Sequence, residues 1–458
     1  MTPAGPVTIV GAGPTGALLA IILRRLGLEV TLYERRADPR HAAGESGRSI
    51  NLALADRGIH ALKQAGVYDE VIGTLMPMRG RLVHQRDGTE SLHLYGQRPD
   101  EVLYSVSRHA LSRALLAVAA EKYGVTVRFE HRMEGVDFES GIAQVRDLKS
   151  QRLSSVPMRP LLATDGAGSL MRRRLHASRL IEVSEVDLDH GYKELCIPAD
   201  AAGRFQMARD ALHVWPRGVF MLIALPNADG SFTATLFLAN RGAVSFEALA
   251  SPASIQQFMS THFADAWRLM PDGVAEFQCH PTGFLGTVRA GPWHCRGTAA
   301  LIGDAAHAIV PFHGQGMNCC FEDCVEFGAC LQRHSSWDAV FAGFYAARKP
   351  DTDAIAAMAI ENYREMREQV AEPAFRLQQI LALELERRHP ERFIPRYSMV
   401  MFHHEIPYRL AQQRGLIQTA LLAELTAAAA SLDDIDYELA ARRITQRLPP
   451  ISRKVARG

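Results

Sequence analysis

The sequence is short of most features that would mark a specialised class. Its 458 residues hold only seven cysteines, at 196, 279, 295, 319, 320, 324 and 330. The number is odd, four of them crowd one expected helix, and none shows paired CxxC spacing, so neither a disulfide framework nor a zinc site is expected and no metal is assigned. Reduced thiols in a cytoplasmic protein fit this pattern better. No apolar run approaches the ~18–20 residues that span a bilayer. The nearest stretch, Leu416 to Leu432, is interrupted by Gln418, Glu424 and two threonines and reads as an amphipathic helix. The opening MTPAGPVTIVGAG lacks a basic segment followed by a long apolar one, so no signal peptide or membrane anchor is expected. Charge of either sign is not in excess: 51 basic residues face 50 acidic ones. That balance gives no field to draw nucleic acid or an anionic membrane. Short basic clusters such as Arg172-Arg173-Arg174 read as solvated helix faces. Internal repeats and low-complexity linkers are missing too.

What is present is a globular chain, 47% hydrophobic and 22% charged, long enough for two or three domains. Near the start, Val7-Thr8-Ile9-Val10 reads as a buried parallel strand. It runs into Gly11-Ala-Gly13-Pro-Thr15-Gly16, then an apolar helix from Ala17 to Leu26 stopped by Gly27, then a second strand from Glu29 to Tyr33 ending at Glu34. The glycines allow a tight turn and close backbone approach, and the helix N-terminus receives a pyrophosphate. The acid at 34 accepts from a ribose 2′-hydroxyl, which favours FAD or NAD over NADP. Strand, turn, helix, strand and acid in this order point to a dinucleotide site.

Two later segments choose between the cofactors. One is Leu161-Leu-Ala-Thr164-Asp165-Gly166, a strand entering a DG turn before a basic helix. The other runs from Ala299 through Gly303-Asp304-Ala-Ala-His307 to Pro311-Phe312-His313-Gly314-Gln-Gly316-Met317-Asn318. A strand ending at Asp304 can aim a carboxylate at a ribityl chain. The glycines let backbone amides approach an isoalloxazine ahead of a helix whose N-terminus favours negative charge.

With these three signatures in order, the sequence resembles the single-component FAD-dependent aromatic hydroxylases. The implied fold is α/β and para-hydroxybenzoate hydroxylase-like: a Rossmann-like FAD domain, an antiparallel-sheet substrate domain and a C-terminal helical domain. Expected boundaries are 1–75, 97–175 and 291–370 for the FAD domain, 76–96 and 176–290 for the substrate domain, and 371–458 for the helices. The resemblance extends FAD contact to Arg35, Arg36, Ala53, Arg108, Met133 and Asp165, and to Asp304, Pro311, Gly316, Met317 and Asn318. No second dinucleotide fingerprint follows, so NADPH is implied to dock transiently and leave.

Further stretches, Met78-Arg-Gly-Arg81, Glu361-Asn-Tyr-Arg-Glu-Met366 and Phe393-Ile-Pro-Arg-Tyr397 among them, resemble the kynurenine 3-monooxygenases, a branch of that family. The resemblance runs from about residue 7 to about 410 and is to the soluble bacterial type. It implies 3-hydroxylation of L-kynurenine by NADPH and O2 through an oxygen adduct at flavin C4a, in the cytoplasm, in an enzyme that can form a homodimer. A zwitterionic substrate tail needs charge-assisted partners, and by motif these become Arg81, Tyr95, Asn362 and Tyr397. Glu365 and Met366 are expected in the same pocket, with Phe312 and His313 between ring and flavin. No general acid or base is assigned. Two alternatives stay open here: a sister hydroxylase acting on another aromatic acid, and an FAD protein that only transfers electrons or binds a partner.

Overall fold

The computed structural model describes residues 3, 5–41, 51–158, 160–368 and 373–451. Val7–Val10 pairs in parallel with Val30–Tyr33 on one side and Leu161–Ala163 on the other. Thr126–Arg128 and Ala299–Leu301 extend the sheet in parallel, and His294–Cys295 adds an antiparallel edge. The central runs Leu161–Ala163 and Ala299–Leu301 are buried throughout and Val7–Val10 nearly so, as parallel strands under helices must be, whereas the edge strand Thr126–Arg128 is largely exposed.

The first helix spans Pro14–Arg25, three residues earlier than its apolar run suggests, because Pro14 sits at the first helical position with its φ already set. It buries Ala17, Leu18, Leu19 and Ile21 and meets the helix Gly316–Arg333 across the same core. That core also takes in Phe321, Cys324 and Phe327. All seven cysteines are free.

A second sheet of seven strands runs Gly283–Gly291, Glu182–Ile197, Phe232–Ala239, Met221–Pro226, Ala211–Pro216, Gly80–His84, Glu90–Leu94. Its pairs are antiparallel except one, where Ala211–Pro216 lies parallel to Gly80–His84. The sequence stretch 211–220 is not one strand. It breaks at Pro216 into a turn closed by Arg217 and Phe220, and a new strand starts at Met221.

After Trp337–Glu368 come the helices Pro373–Arg388, Arg396–Phe402, Tyr408–Thr426 and Tyr437–Arg447. Their attachment is polar as well as apolar. Buried Arg57 donates to the carbonyls of Met399, Val400, His403 and Ile406, pairs with Glu322 at 2.8 Å, and stacks 4.0 Å from the Tyr408 ring. Among the described residues no helix is long and apolar enough to cross a membrane.

Candidate active site

At the nucleotide end, three glycines do three different things. Gly11 has φ 103°, and a Cβ there would lie 2.4 Å from the Thr164 carbonyl oxygen. A Cβ at Gly16 would lie 2.0 Å from the Gly11 carbonyl oxygen, so the helix can pack this close only without one. A Cβ at Gly13 would meet no protein atom within 4 Å. Position 13 therefore offers bare backbone to open space at a helix N-terminus, the cradle a pyrophosphate needs. Glu34 is buried and holds the turn itself: its carboxylate accepts from the backbone N–H of Ala12 and of Arg36, each at 2.9 Å. Arg35 and Arg36 are exposed beside it, whereas Met133 is buried in the main core.

Asp165 caps the following helix through Oδ2, which accepts from Leu170 N–H at 2.8 Å. Its Oδ1 is buried with no hydrogen-bond partner, and burial raises its pKa above the usual carboxylate range. A left-over acceptor here suits a ligand hydroxyl. These features fit FAD.

Thr15, Ala53, Arg108, Asp304, Pro311, Gly316 and Met317 lie on the wall of one cavity of about 760 Å³. Asp304 follows Gly303, whose φ of 66° turns the strand end toward this space. Gly316 opens an 18-residue helix, so its free N–H groups face the same place. Asn318 is not on the wall. Its amide bridges instead, accepting from Ala55 N–H at 2.9 Å and donating to Ala53 and Gly314 carbonyls at 2.8 and 2.9 Å.

The same cavity continues to Arg81, Tyr95, Phe312, His313 and Tyr397. The Arg81 guanidinium sits 5.6 Å from the Tyr95 ring and 5.2 Å from the Tyr397 ring, and donates to the Tyr397 hydroxyl at 3.3 Å. The two tyrosine rings stack at 6.2 Å. Burial raises both phenol pKa values, so both stay protonated and can donate. His313 stacks on Tyr397 at 5.8 Å. Burial, with the charges of Arg396, Arg81 and Arg57 adding, holds its pKa down at about 3, and the ring is neutral.

Two expected substrate residues stand behind the wall rather than on it. Asn362 donates to the Phe312 carbonyl at 2.8 Å, and Glu365 pairs with Arg396 at 2.7 Å. The side chain of Met366 lies outside the described residues. Missed by sequence reasoning were the apolar wall residues Leu212, Ile223, Leu225 and Met401. Nothing but ordinary strand and helix patterning marks them.

The FAD binding domain family matches residues 5–339, and with the glycine turn and cavity this defines an FAD-dependent oxidoreductase. Kynurenine 3-monooxygenase of Stenotrophomonas maltophilia (strain K279a) is 48% identical over 443 residues, 97% of each chain. That of Myxococcus xanthus (strain DK1622) is 45% identical over 453 residues, 99% of this chain and 97% of the relative. The chain belongs to the kynurenine 3-monooxygenase family of FAD-dependent monooxygenases. Solved structures with the same fold include 2-methyl-3-hydroxypyridine-5-carboxylic acid oxygenase in a tetrameric form, at TM-score 0.63 and 19% identity over 82% of this chain and 95% of that one. PqsL of Pseudomonas aeruginosa matches at TM-score 0.63 and 22% identity over 79% of this chain and 96% of that one.

Proposed function

We propose that the chain hydroxylates L-kynurenine at carbon 3, with NADPH and O2 as co-substrates. The observation that carries this reading is Arg81, boxed by two protonated tyrosines on the wall of the same cavity that carries Asp304 and Gly316. Such a space takes a ligand that is aromatic along its length and anionic at its tip. Kynurenine, an anthranilyl ketone with an amino-acid tail, has that outline.

Bound FAD supplies hydride acceptance from NADPH and reaction with O2. The remaining tasks fall to side chains. Gly11, Gly13, Thr15, Gly16 and Glu34 hold the nucleotide, and Asp304 with the helix start at Gly316 holds the flavin end. Arg81 takes the substrate carboxylate in a bidentate pair, and the Tyr95 and Tyr397 hydroxyls add donors. Leu212, Ile223, Leu225 and Met401 keep water from the ring. Phe312 and His313 set the position of the ring, with Asn362 and the Glu365–Arg396 pair fixing the turn and helix behind them. His313 is neutral and carries no proton in the reaction. The substrate ring is activated by its own amino group, and no general acid or base is assigned. We also place the enzyme in the cytoplasm, able to form a homodimer; sedimentation of the purified protein checks the dimer.

The test is NADPH oxidation by the yellow holoenzyme, with and without L-kynurenine, with products separated on a column. Stimulated oxidation with 3-hydroxykynurenine supports the reading. Stimulation yielding only H2O2 makes kynurenine an effector, and no response removes it as substrate.

A further inference from the structure

We infer that Glu101, Glu386 and His403 form a binding site for one divalent transition-metal cation, of which zinc suits the donors best. No cysteine takes part, and the site stands apart from the cavity wall.

The three residues come from separate elements. Glu101 precedes the strand Leu103–Ser107, Glu386 lies in the last turn of the helix Pro373–Arg388, and His403 follows the helix Arg396–Phe402. One ligand atom from each lies within 4.8 Å of the other two. Glu101 and Glu386 are only 6% and 2% exposed.

Counting partners shows what the cluster lacks. Glu101 Oε2 accepts from the backbone N–H of Gln97 at 2.7 Å and of Arg98 at 3.0 Å, and Oε1 accepts from Arg98 Nη1 at 2.6 Å. Glu386 Oε2 accepts from Gln97 Nε2 at 3.0 Å. Glu386 Oε1 is buried with no hydrogen-bond partner. It lies 3.6 Å from the Arg98 nitrogen that serves Glu101, and so is turned into the cluster. His403 Nδ1 meets Glu405 Oε1 at 3.0 Å, while Nε2 is buried without a partner. A carboxylate on one ring nitrogen with the other left over is the arrangement in which a metal-ligating histidine is held. Glu386 and His403 thus each carry a buried atom without a hydrogen-bond partner in a cluster whose ligand atoms lie within 4.8 Å of one another, where a cation would supply what is missing.

The chemistry of the set decides which cation. One nitrogen and two carboxylate oxygens suit zinc, whereas calcium and magnesium ask for oxygen alone. Arg98 is the competing charge. Its side chain is 44% exposed, so it can swing to solvent when a metal arrives. A bound cation would brace the segment after Tyr95 against two C-terminal helices, one of which, Arg396–Phe402, carries Tyr397. The neighbouring Asp56–His404 pair is already closed by a 2.6 Å hydrogen bond.

The experiment is calorimetric titration of chelator-treated, dialysed holoenzyme with Zn2+. The expected result is one saturable event that Mg2+ does not displace. Loss of even an outer partner costs about 10–100-fold in metal affinity, so Glu386→Gln and His403→Gln should each weaken binding by at least ~100-fold. Arg98→Ala should tighten it, because the competing charge is gone, which a merely structural role for Arg98 would not do. Bound FAD and far-ultraviolet circular dichroism report that each variant is folded. Absence of saturable Zn2+ binding by the parent protein overturns the inference, and so does binding that Glu386→Gln and His403→Gln leave unchanged.

Discussion

Replacing Arg81 with alanine separates binding of the substrate from binding of FAD. Arg81 lies on Gly80–His84, whose backbone is held between Ala211–Pro216 and Glu90–Leu94, so the strand survives the change. Within the protein its side chain gives up little: one long hydrogen bond of 3.3 Å to Tyr397 and contact with two tyrosine faces. The main loss falls on the ligand. A hydrogen bond to a charged group contributes about 1.5–3 kcal/mol. At 1.4 kcal/mol per factor of ten, the kynurenine dissociation constant should rise about 10- to 150-fold. Lysine at 81 keeps the charge but not the fork, and should fall between the two. The assay is titration of the holoenzyme with L-kynurenine, followed by the flavin absorption change, with the FAD-to-protein ratio measured alongside. Unchanged affinity with FAD intact would refute the clamp. Loss of FAD would refute that separation.

The other expected outcomes follow from single contacts. Gly16→Ala forces a Cβ to 2.0 Å from the Gly11 carbonyl oxygen and should yield protein without FAD, read from its absorption spectrum. Gly13→Ala meets nothing in the protein, so its thermal midpoint without cofactor should hold while FAD retention falls. Arg57→Met leaves several carbonyls of the 399–406 segment without their donor and Glu322 with Arg348 alone, and should cost about 3–5 kcal/mol in urea unfolding. His313 has its folded pKa held down at about 3, so the unfolded chain binds its proton first as pH falls below ~6.5. The folded state therefore loses stability from that group between pH ~6.5 and about 3, about 2 kcal/mol of it by pH 5. His313→Leu should flatten the fall in stability over that range, measured by urea unfolding at stepped pH.

Local sequence carries the nucleotide half of the site because its chemistry is local. Strand, glycine turn, helix and Glu34 occupy fewer than thirty consecutive residues; Gly16 answers a clash and Gly13 an opening within that turn, while the clash at Gly11 is with a distant group, the Thr164 carbonyl. The substrate half is legible only through resemblance. Arg81 and Tyr397 are 316 residues apart, and no periodicity joins them. Where resemblance offered residues without geometry, the side chains divided into wall and support: Tyr95 and Tyr397 line the cavity, while Asn362, Glu365 and Asn318 brace it. The wall residues Leu212 and Met401 left no mark, since burial between a strand and a distant helix is a tertiary fact. The parallel pairing of Ala211–Pro216 with Gly80–His84 was hidden for the same reason: more than a hundred residues intervene. The cluster of Glu101, Glu386 and His403 has no sequence signature at all, being assembled by the packing of the C-terminal helices.

The central claim is that this cavity brings a kynurenine ring to a flavin that delivers oxygen from O2. The most direct measurement is turnover of the holoenzyme with NADPH and L-kynurenine under 18O2, with the product analysed by mass spectrometry. The account predicts 3-hydroxykynurenine carrying one atom of 18O, formed in step with NADPH consumed. Product without the label, or NADPH consumed with kynurenine recovered unchanged, would contradict it.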